Sequence, residues 1–364
     1  MDTLYLAAAG FQAARRLEYL PPADPRHALH GHGFVVRVAA VPGTRRVAFA
    51  GAEPAAVQDA LHDAVAGWQY RLLNESLRAP GDAALVRDLA RRLDGPLESI
   101  AVCLRSAPDR GANWRADGSV EVWRRFTLHA AHRLPHVPPG HKCGRMHGHA
   151  FGITLQLGLD VATADAELAG EWLQQAWTPL AGVLDHACLN ELPGLEIPTS
   201  EVLSAWIWER LRPALPGLAR VIVHETASCG AVFDGAQHRI WKDFSLDSAV
   251  RLRHAPSGDA RARLHGDTFA LRLQLCAPLD QVLGWTVDFG DVKRVFDPVF
   301  RAIDHQPLHE VAGLADAACA TLAAWVLRQA VPGLPALERV DLLGDDGSGA
   351  LVSRRSTASR ILLP

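Results

Sequence analysis

Residues 147–157 read HGHAFGITLQL, and this stretch contains the pattern on which our fold prediction rests. Similar stretches occur at 30–38, HGHGFVVRV, and at 265–275, HGDTFALRLQL, at a spacing of about 120 residues. After each triplet, apolar residues alternate with other residues, which is typical of a β-strand with one buried face. The regular spacing predicts that the chain contains three copies of one structural unit.

Other landmarks recur at the same spacing. Leu-Asp-His at 184–186 corresponds to Ile-Asp-His at 303–305, and Trp206 corresponds to Trp325. A single triplet is weak evidence, but several landmarks at one period indicate a triplicated unit.

This spacing predicts three domains, 1–118, 119–243 and 244–364. Within each domain we expect a strand, a turn with the triplet, a second strand, helices and two shorter strands. Strands followed by helices indicate the α+β class with an antiparallel sheet. The prediction is therefore three tandem α+β domains, each with a four-stranded antiparallel sheet and two helices. Three such sheets could dock edge to edge, which would protect their exposed strand edges.

Composition excludes several classes of protein. The chain has 364 residues, with 37 Lys+Arg, 40 Asp+Glu and a net charge of −3, so no strong positive field attracts nucleic acid or an anionic membrane. No apolar run approaches the ~20 residues of a membrane span, and Asp2 makes the N-terminus a poor signal peptide. The six cysteines are scattered without a Cys-x-x-Cys pair, which favours a cytoplasmic location.

The middle unit holds the densest group of histidines. His147 and His149 lie two residues apart in a predicted strand, so both side chains project to one face. His132 from the preceding strand would complete a three-histidine zinc site with an open fourth position. His129 and His136 could compete as ligands, although His129 is three residues from His132 and falls on the opposite face. We therefore predict a zinc ion here, although an isolated His-Gly-His triplet would indicate only a turn.

Cys143 lies in a polar turn shortly before His147. A thiol near a divalent cation and Lys142 would have its thiolate favoured, so it could act as a base or a nucleophile. Four other cysteines are interpreted as small core residues: Cys188, Cys229, Cys276 and Cys319.

Several segments within 126–226 occur together in the order typical of a known family. They are FxxHAAHRLP, CGRMHGH, LDHACLN, PTSE and VHET. On these motifs the middle unit resembles the 6-pyruvoyltetrahydropterin / 6-carboxytetrahydropterin synthase family. The resemblance implies the tunnelling fold, in which antiparallel sheets assemble into a barrel through trimerisation. The three units would then form a pseudo-trimer within one chain.

The resemblance also implies roles for individual residues. The zinc ligands would be His132, His147 and His149. Cys143 would be the catalytic cysteine, and Asp185 with His186 would be the acid/base pair. Thr199 and Glu201 would lie around the pterin pocket, and Glu225 would anchor the pterin. A carboxylate suits that last role, because it can accept two parallel hydrogen bonds from an aminopyrimidine edge.

The family's substrate is 7,8-dihydroneopterin triphosphate, so the resemblance implies a zinc-dependent pterin synthase that releases triphosphate. Zinc would hold the side-chain hydroxyls and acidify the adjacent carbon, while Cys143 and an Asp-His pair would move protons. The bacterial branch yields 6-carboxy-5,6,7,8-tetrahydropterin and acetaldehyde on the route to queuosine, and we expect this reaction here. The alternatives are 6-pyruvoyltetrahydropterin as the product, a related lyase or epimerase acting on a pterin without triphosphate, and a zinc- and pterin-binding protein without turnover.

The outer units depart from the family pattern. In the first unit, Arg15, Arg26 and Gln69-Tyr70 stand where the middle unit has the first zinc histidine, the cysteine and the Asp-His pair. The third unit differs at four of these positions: Val250, Arg261, Asp267 and Gly344 replace His132, Cys143, His149 and Glu225. We therefore expect one complete site in each chain.

The third unit nevertheless keeps the pair Asp304-His305 and a segment, 287–293, that resembles a family motif missing from the middle unit. Our hypothesis is that this pair faces Cys143 across an interface within the chain. Asp185-His186 is the local alternative, and the third unit's pair would otherwise be a structural remnant that caps a turn. We also expect a homodimer, which would mimic a hexamer of single-domain relatives.

Overall fold

The computed structural model describes residues 1–43, 47–159, 166, 168–280, 282–314 and 316–354. The strands are β1 (Asp2–Arg15), β2 (His30–Pro42), β3 (Arg71–Leu72), β4 (Leu97–Ala107), β5 (Arg110–Trp114), β6 (Val120–His132), β7 (His147–Leu159), β8 (Leu218–Thr226), β9 (Cys229–Phe233), β10 (His238–Val250), β11 (His265–Cys276), β12 (Leu337–Gly344) and β13 (Gly349–Ser353). The helices are α1 (Glu53–Ala66), α2 (Asp82–Leu93), α3 (Ala169–Leu184), α4 (Ser200–Leu211), α5 (Phe289–Arg301) and α6 (Cys319–Ala330).

Twelve of these strands form one closed sheet. Each pairs antiparallel with its neighbour, and the two-residue strand β3 pairs parallel to β1 at Ala13 and Ala14. The last strand, β13, pairs with the first, β1, over the register Leu6↔Gly349 to Asp2↔Ser353. The described part of the chain is therefore a closed antiparallel β-barrel.

The prediction of three tunnelling-fold domains, each with its own four-stranded sheet and two helices, is wrong. The sheet continues across both predicted boundaries and closes on itself, because β5 pairs with β6, β9 with β10, and β13 with β1. One apolar cluster also includes residues from both sides of the first boundary. Separate sheets would leave unpaired backbone N–H and C=O groups at every edge, whereas closure of the barrel pairs them. A single barrel thus takes the place of the predicted pseudo-trimer of domains.

The domain boundaries themselves stay a prediction. Residue 118 lies in the turn between β5 and β6, and residue 243 lies within β10. Two glycines make the turns that carry the sheet from one third of the chain to the next. Gly118 precedes β6 with φ +85°, and Gly235 precedes β10 with φ +88°, a left-handed conformation that glycine adopts without a steric penalty. Residues 355–364, the end of the predicted third domain, lie outside the described residues.

The helices pack on the outer face of the barrel. Apolar side chains of α1 to α4 form one core with β1, β2 and β4 to β8, and those of α5 and α6 form a second core with β9 to β13. Burial of these apolar faces is the main stabilising contribution to such a fold. No helix in the described ranges is both long and apolar enough to cross a membrane.

Candidate functional site

The three predicted metal ligands lie together at one end of the barrel. His132 ends β6 and pairs directly with His147, which begins β7. His149 is two residues further along β7, so it projects to the same face as His147. The ring centroids are 4.5 Å apart for His132 and His147, 5.2 Å for His132 and His149, and 5.1 Å for His147 and His149. One nitrogen from each ring lies within 4.8 Å of the others.

The hydrogen bonds of these rings leave nitrogen lone pairs facing one another. Nδ1 of His132 lies 2.9 Å from the carbonyl oxygen of Pro198, and Nδ1 of His147 lies 2.8 Å from that of Arg145. A carbonyl oxygen only accepts, so each Nδ1 carries the proton and each Nε2 has a free lone pair. Nε2 of His132 and Nε2 of His149 are buried without a hydrogen-bond partner. Burial lowers the pKa of both rings and so favours the neutral form that binds metal.

This donor set fits zinc. Three neutral imidazoles are typical ligands of a catalytic zinc ion, and buried polar atoms without a partner are rare unless something binds them. The carbonyl groups that fix the Nδ1 protons are the outer contacts that orient zinc-binding histidines.

Glu225, to which the resemblance assigned the pterin anchor, lies beside the histidines. It sits near the end of β8, and its Oε1 is 3.9 Å from Nε2 of His149. The hydroxyl of Ser200, the first residue of α4, donates a 2.5 Å hydrogen bond to the other oxygen, Oε2. The carboxylate is thus held at the histidine site in one orientation.

Thr199 and Glu201 make structural contacts that sequence reasoning did not predict. The Thr199 hydroxyl accepts a hydrogen bond from the Val202 N–H at the start of α4 and donates one to the Gly284 carbonyl. Glu201 is buried, and its Oε1 accepts hydrogen bonds from the backbone N–H of Thr286 at 2.9 Å and from its hydroxyl at 3.2 Å. Both residues therefore attach the segment before α5 to the histidine site.

Cys143 lies in a short 3₁₀ turn between β6 and β7. Its N–H donates to Nδ1 of His141, and Nε2 of that ring lies 3.9 Å from Oδ2 of Asp288, which caps α5. Burial raises the pKa of the Cys143 thiol, Glu225 also raises it, and Lys142 opposes them. The effect that the sequence assigned to Lys142 is present, but burial outweighs it.

The two Asp-His turns have the same geometry. In each, the histidine has a left-handed backbone, with φ 59° at His186 and 54° at His305. Nδ1 of the ring lies 3.0 Å from the carboxylate of Asp185 in the first turn and 2.9 Å from that of Asp304 in the second. Such a conformation is uncommon for residues other than glycine and indicates a constrained turn. Across the described ranges, neither pair forms a hydrogen bond or an ion pair with Cys143.

The middle pair has a further neighbour, His129. The His129 N–H donates to Asp185 Oδ1, and the rings of His129 and His186 are 5.6 Å apart. All three side chains are exposed, and His129 points away from the three-histidine site, as the strand alternation predicted.

Comparison with known proteins decides the family. A model of the 6-pyruvoyl tetrahydropterin synthase family matches residues 121–236 and again 239–355. The chain belongs to this family. The resemblance found in the sequence is thereby confirmed, and the second match covers most of the third unit.

Individual members of the family are similar over the length of one unit. A 6-carboxy-5,6,7,8-tetrahydropterin synthase from Synechocystis sp. is 38% identical over 117 residues, which is 30% of this chain and 89% of that protein. A protein from Archaeoglobus fulgidus, provisionally given the same name, is 33% identical over 91 residues, which is 25% of this chain and 77% of that protein. The structure of a Caenorhabditis elegans 6-pyruvoyl tetrahydropterin synthase aligns with a TM-score of 0.29 at 15% identity, covering 32% of this chain and 95% of that one.

In this member of the family, arginines occupy the corresponding positions of the first unit. Arg15 is buried where the middle unit has His132, and it forms a 2.8 Å ion pair with Asp82. Arg26, at the position of Cys143, bonds to Asp24 and reaches Glu171 of α3. A guanidinium cannot lose its proton at these positions and therefore cannot replace a metal ligand or a thiolate.

Sequence reasoning missed Ser200, Thr286 and Asp288 as parts of the site. Ser200 lies inside the PTSE motif, so a signal for it was present. Asp288 lies in the segment 287–293, which the sequence had marked as a family motif in the third unit. Thr286 contacts Glu201 partly through its backbone N–H, and no side-chain pattern predicts such a contact.

Proposed function

We propose that this chain is a zinc-dependent pterin synthase. As a lyase, it would convert 7,8-dihydroneopterin triphosphate to 6-carboxy-5,6,7,8-tetrahydropterin with loss of triphosphate and acetaldehyde. One observation supports this function above the others: three imidazoles converge beside a carboxylate, and two of their Nε2 atoms are buried without a partner. Family membership and the name of the Synechocystis relative support the choice of reaction.

The metal would be held by His132, His147 and His149. A zinc ion at this position supplies Lewis acidity, which polarises substrate oxygens and makes the adjacent C–H group more acidic. The protein's own contribution is to fix the three rings through the Pro198 and Arg145 carbonyl groups.

Glu225 would bind the pterin ring. Its carboxylate can accept a pair of hydrogen bonds from the ring N–H and the exocyclic amino group. The Ser200 hydroxyl orients this carboxylate, and the position of Glu225 at the histidine site would bring the substrate side chain towards the imidazoles.

Cys143 and one Asp-His pair would move protons. Cys143 would take a proton from the substrate carbon as a thiolate, a form that a bound zinc ion would favour against the effect of burial on its pKa. A histidine would act as the second acid or base. His305 suits this role because its hydrogen bond to Asp304 raises the pKa of the ring and fixes the tautomer.

The sheet supports the third unit's pair over the middle pair. Glu225 lies in the hairpin of β8 and β9. The turn of this hairpin contacts β10, because the Asp243 N–H donates a hydrogen bond to the Ser228 carbonyl. The turn with Asp304-His305 lies further along the same strand, where the His305 N–H donates to the Asp247 carbonyl. We therefore propose that Asp304-His305 serves Cys143.

The deciding experiment is product analysis. Zinc-loaded protein is incubated with 7,8-dihydroneopterin triphosphate, and the products are identified by mass. We expect 6-carboxytetrahydropterin together with acetaldehyde. Detection of 6-pyruvoyltetrahydropterin instead would change the proposed product but not the proposed class of enzyme. Absence of any product, with zinc bound and pterin affinity measurable, would show a binding protein instead.

The proposed enzyme is a cytoplasmic homodimer. All six cysteines are free, which supports a reducing compartment.

Three apolar residues occupy equivalent positions directly before the histidine triplets and are more than half exposed: Leu29 at 56%, Met146 at 52% and Leu264 at 56%. Exposed apolar groups at one end of a barrel favour contact with a second copy. Multi-angle light scattering of the zinc-loaded chain tests this, and a monomeric mass would refute the dimer.

A further inference from the structure

A cleft of about 490 Å³ lies between the first and the third parts of the chain. One wall is the start of α1, with Pro54 and Gln58, and the other consists of β10, β11 and the turn between β12 and β13. The cleft occupies the place in the third unit that the histidine site occupies in the middle unit. It is separate from the proposed active site and independent of the proposed function.

The residues of this cleft do not suit zinc or a pterin anchor. At the positions that correspond to His132 and Glu225 of the middle unit, the third unit has Val250 and Gly344. His265 remains, but among the described residues it does not join two other ligand atoms within 4.8 Å, as the middle site does. The cleft therefore has a different chemistry from the site that it resembles in position.

Two carboxylates converge at the position of the missing glutamate. A Cβ atom built at Gly344 would lie 3.3 Å from Oδ1 of Asp346 and 4.0 Å from Oδ1 of Asp267. The backbone N–H and the hydroxyl of Ser348 hold Asp346 in place at 2.8 and 2.9 Å. Both carboxylates line the cleft, together with those of Asp345 and Asp59.

The aspartates of the cleft outnumber its cationic side chains, which are Arg261 and His265. Burial raises the pKa of Asp267, and Asp346 and Asp345 also raise it, whereas the Thr268 N–H and His265 oppose them without reversing the shift. Arg261 also lines the cleft, but it is paired with Asp259 at 2.7 Å and packs on the Phe49 ring. Over the described residues, the four aspartates that line the cleft form no ion pair: Asp59, Asp267, Asp345 and Asp346. The cleft thus has an excess of negative charge that a positively charged ligand would neutralise.

Apolar side chains lie next to these carboxylates, which favours an organic ligand over a hydrated metal ion. Leu252, Phe269 and Ala317 line the cleft next to the carboxylates. Pockets with apolar walls and a few converging polar groups are typical of small-molecule sites. We propose that this cleft binds a small organic cation, an amine or guanidinium group on a short apolar stem, held by Asp267 and Asp346.

Agmatine is a suitable probe because it has a guanidinium group and an amine on a four-carbon stem. Isothermal titration of the full-length, zinc-loaded chain should show saturable binding of one agmatine per chain. Asp267→Asn and Asp346→Asn should each weaken binding by about tenfold, since each removes a charge-assisted hydrogen bond. Thermal unfolding of each variant confirms that it is folded.

Two controls separate this site from general charge and from the middle site. Glu98→Gln removes one exposed carboxylate outside the cleft, and His149→Ala changes the middle site, so both variants should bind agmatine like the wild type. The proposal is overturned if agmatine does not saturate below about 10 mM, which is weak even for a small ligand. It is also overturned if the two cleft variants bind agmatine unchanged, or if Mg²⁺ alone binds there and agmatine does not.

Discussion

The backbone N–H of Thr286 donates a 2.9 Å hydrogen bond to Oε1 of Glu201. Glu201 belongs to α4 in the middle of the chain, whereas Thr286 lies shortly before α5 in the last third. The glutamate is buried, and burial raises its pKa to about 7. This contact attaches a segment of the last third to the elements that carry Glu225 and the three histidines.

Glu201→Gln should change how stability depends on pH. Because the pKa of Glu201 is raised from 4.5 to about 7, the folded chain keeps a proton that the unfolded chain releases between these values. The resulting stabilisation is full below pH 4.5 and is lost as the pH rises through 7, with a magnitude on the order of 3 kcal/mol. Glutamine keeps an acceptor for Thr286 and cannot lose a proton, so the variant should not show this loss. Urea unfolding at pH 5.5 and pH 8 measures the difference, with the exposed Glu98→Gln as control. Equal pH slopes for wild type and Glu201→Gln would contradict the prediction.

His132→Ala should abolish zinc binding. It removes a ligand whose buried Nε2 has no other partner, and a three-histidine site rarely tolerates the loss of one ligand. Elemental analysis of the purified protein should show about one zinc per wild-type chain and almost none in the variant. His129→Ala and His136→Ala change exposed histidines that the sequence left as competing ligands, and both should retain zinc. Loss of zinc from the His129→Ala or the His136→Ala variant would show that the substituted histidine is a metal ligand.

His305→Ala and His186→Ala should differ in turnover. We expect His305→Ala to lower kcat by about 10²- to 10⁴-fold, the range for loss of a general acid or base. His186→Ala should leave kcat within a few-fold of the wild type. Steady-state kinetics with zinc content measured in parallel provide the test, since neither histidine belongs to the metal site. A loss of activity confined to His186→Ala would show that the middle pair serves Cys143.

Glu225→Gln should weaken pterin binding while zinc stays bound. The amide presents only one acceptor oxygen, so one of two charge-assisted hydrogen bonds to the ring is lost, and the dissociation constant should rise about tenfold or more. Titration of the zinc-loaded variant with a pterin measures this. Glu191→Gln removes an exposed carboxylate outside the site and should bind normally. Unchanged pterin affinity in Glu225→Gln would show that Glu225 does not bind the pterin.

Glu121→Ala should destabilise the barrel strongly. Glu121 of β6 and Arg220 of β8 form a buried ion pair at 2.5 Å, and β7 lies between their strands. Removal of one partner leaves a buried charge uncompensated, which costs about 3–5 kcal/mol. Asp297→Asn breaks an exposed pair with Arg301, 2.8 Å in length, and should cost at most about 1 kcal/mol. Similar costs for the two variants, measured by urea unfolding, would refute the expectation.

Local patterns were sufficient to predict much of the site. Alternation in β7 places His147 and His149 on one face, and pairing with β6 brings His132 opposite His147. These relations depend on neighbours in sequence or on one hairpin, so periodicity predicts them. The contact of Glu201 with Thr286 spans 85 residues and uses a backbone donor. No side-chain pattern encodes such a contact.

The amino-acid sequence by itself determined the repeat, the family and the group of histidines in the middle of the chain. Only the tertiary structure decided that the strands form a single closed barrel and not three sheets. The physical reason is that closure depends on pairing between strand edges, such as Leu6 with Gly349, and edge pairing is made by backbone groups common to all residues. For the same reason, only the structure shows that the segment before α5 reaches the middle site and that the degraded third unit contains an acidic cleft.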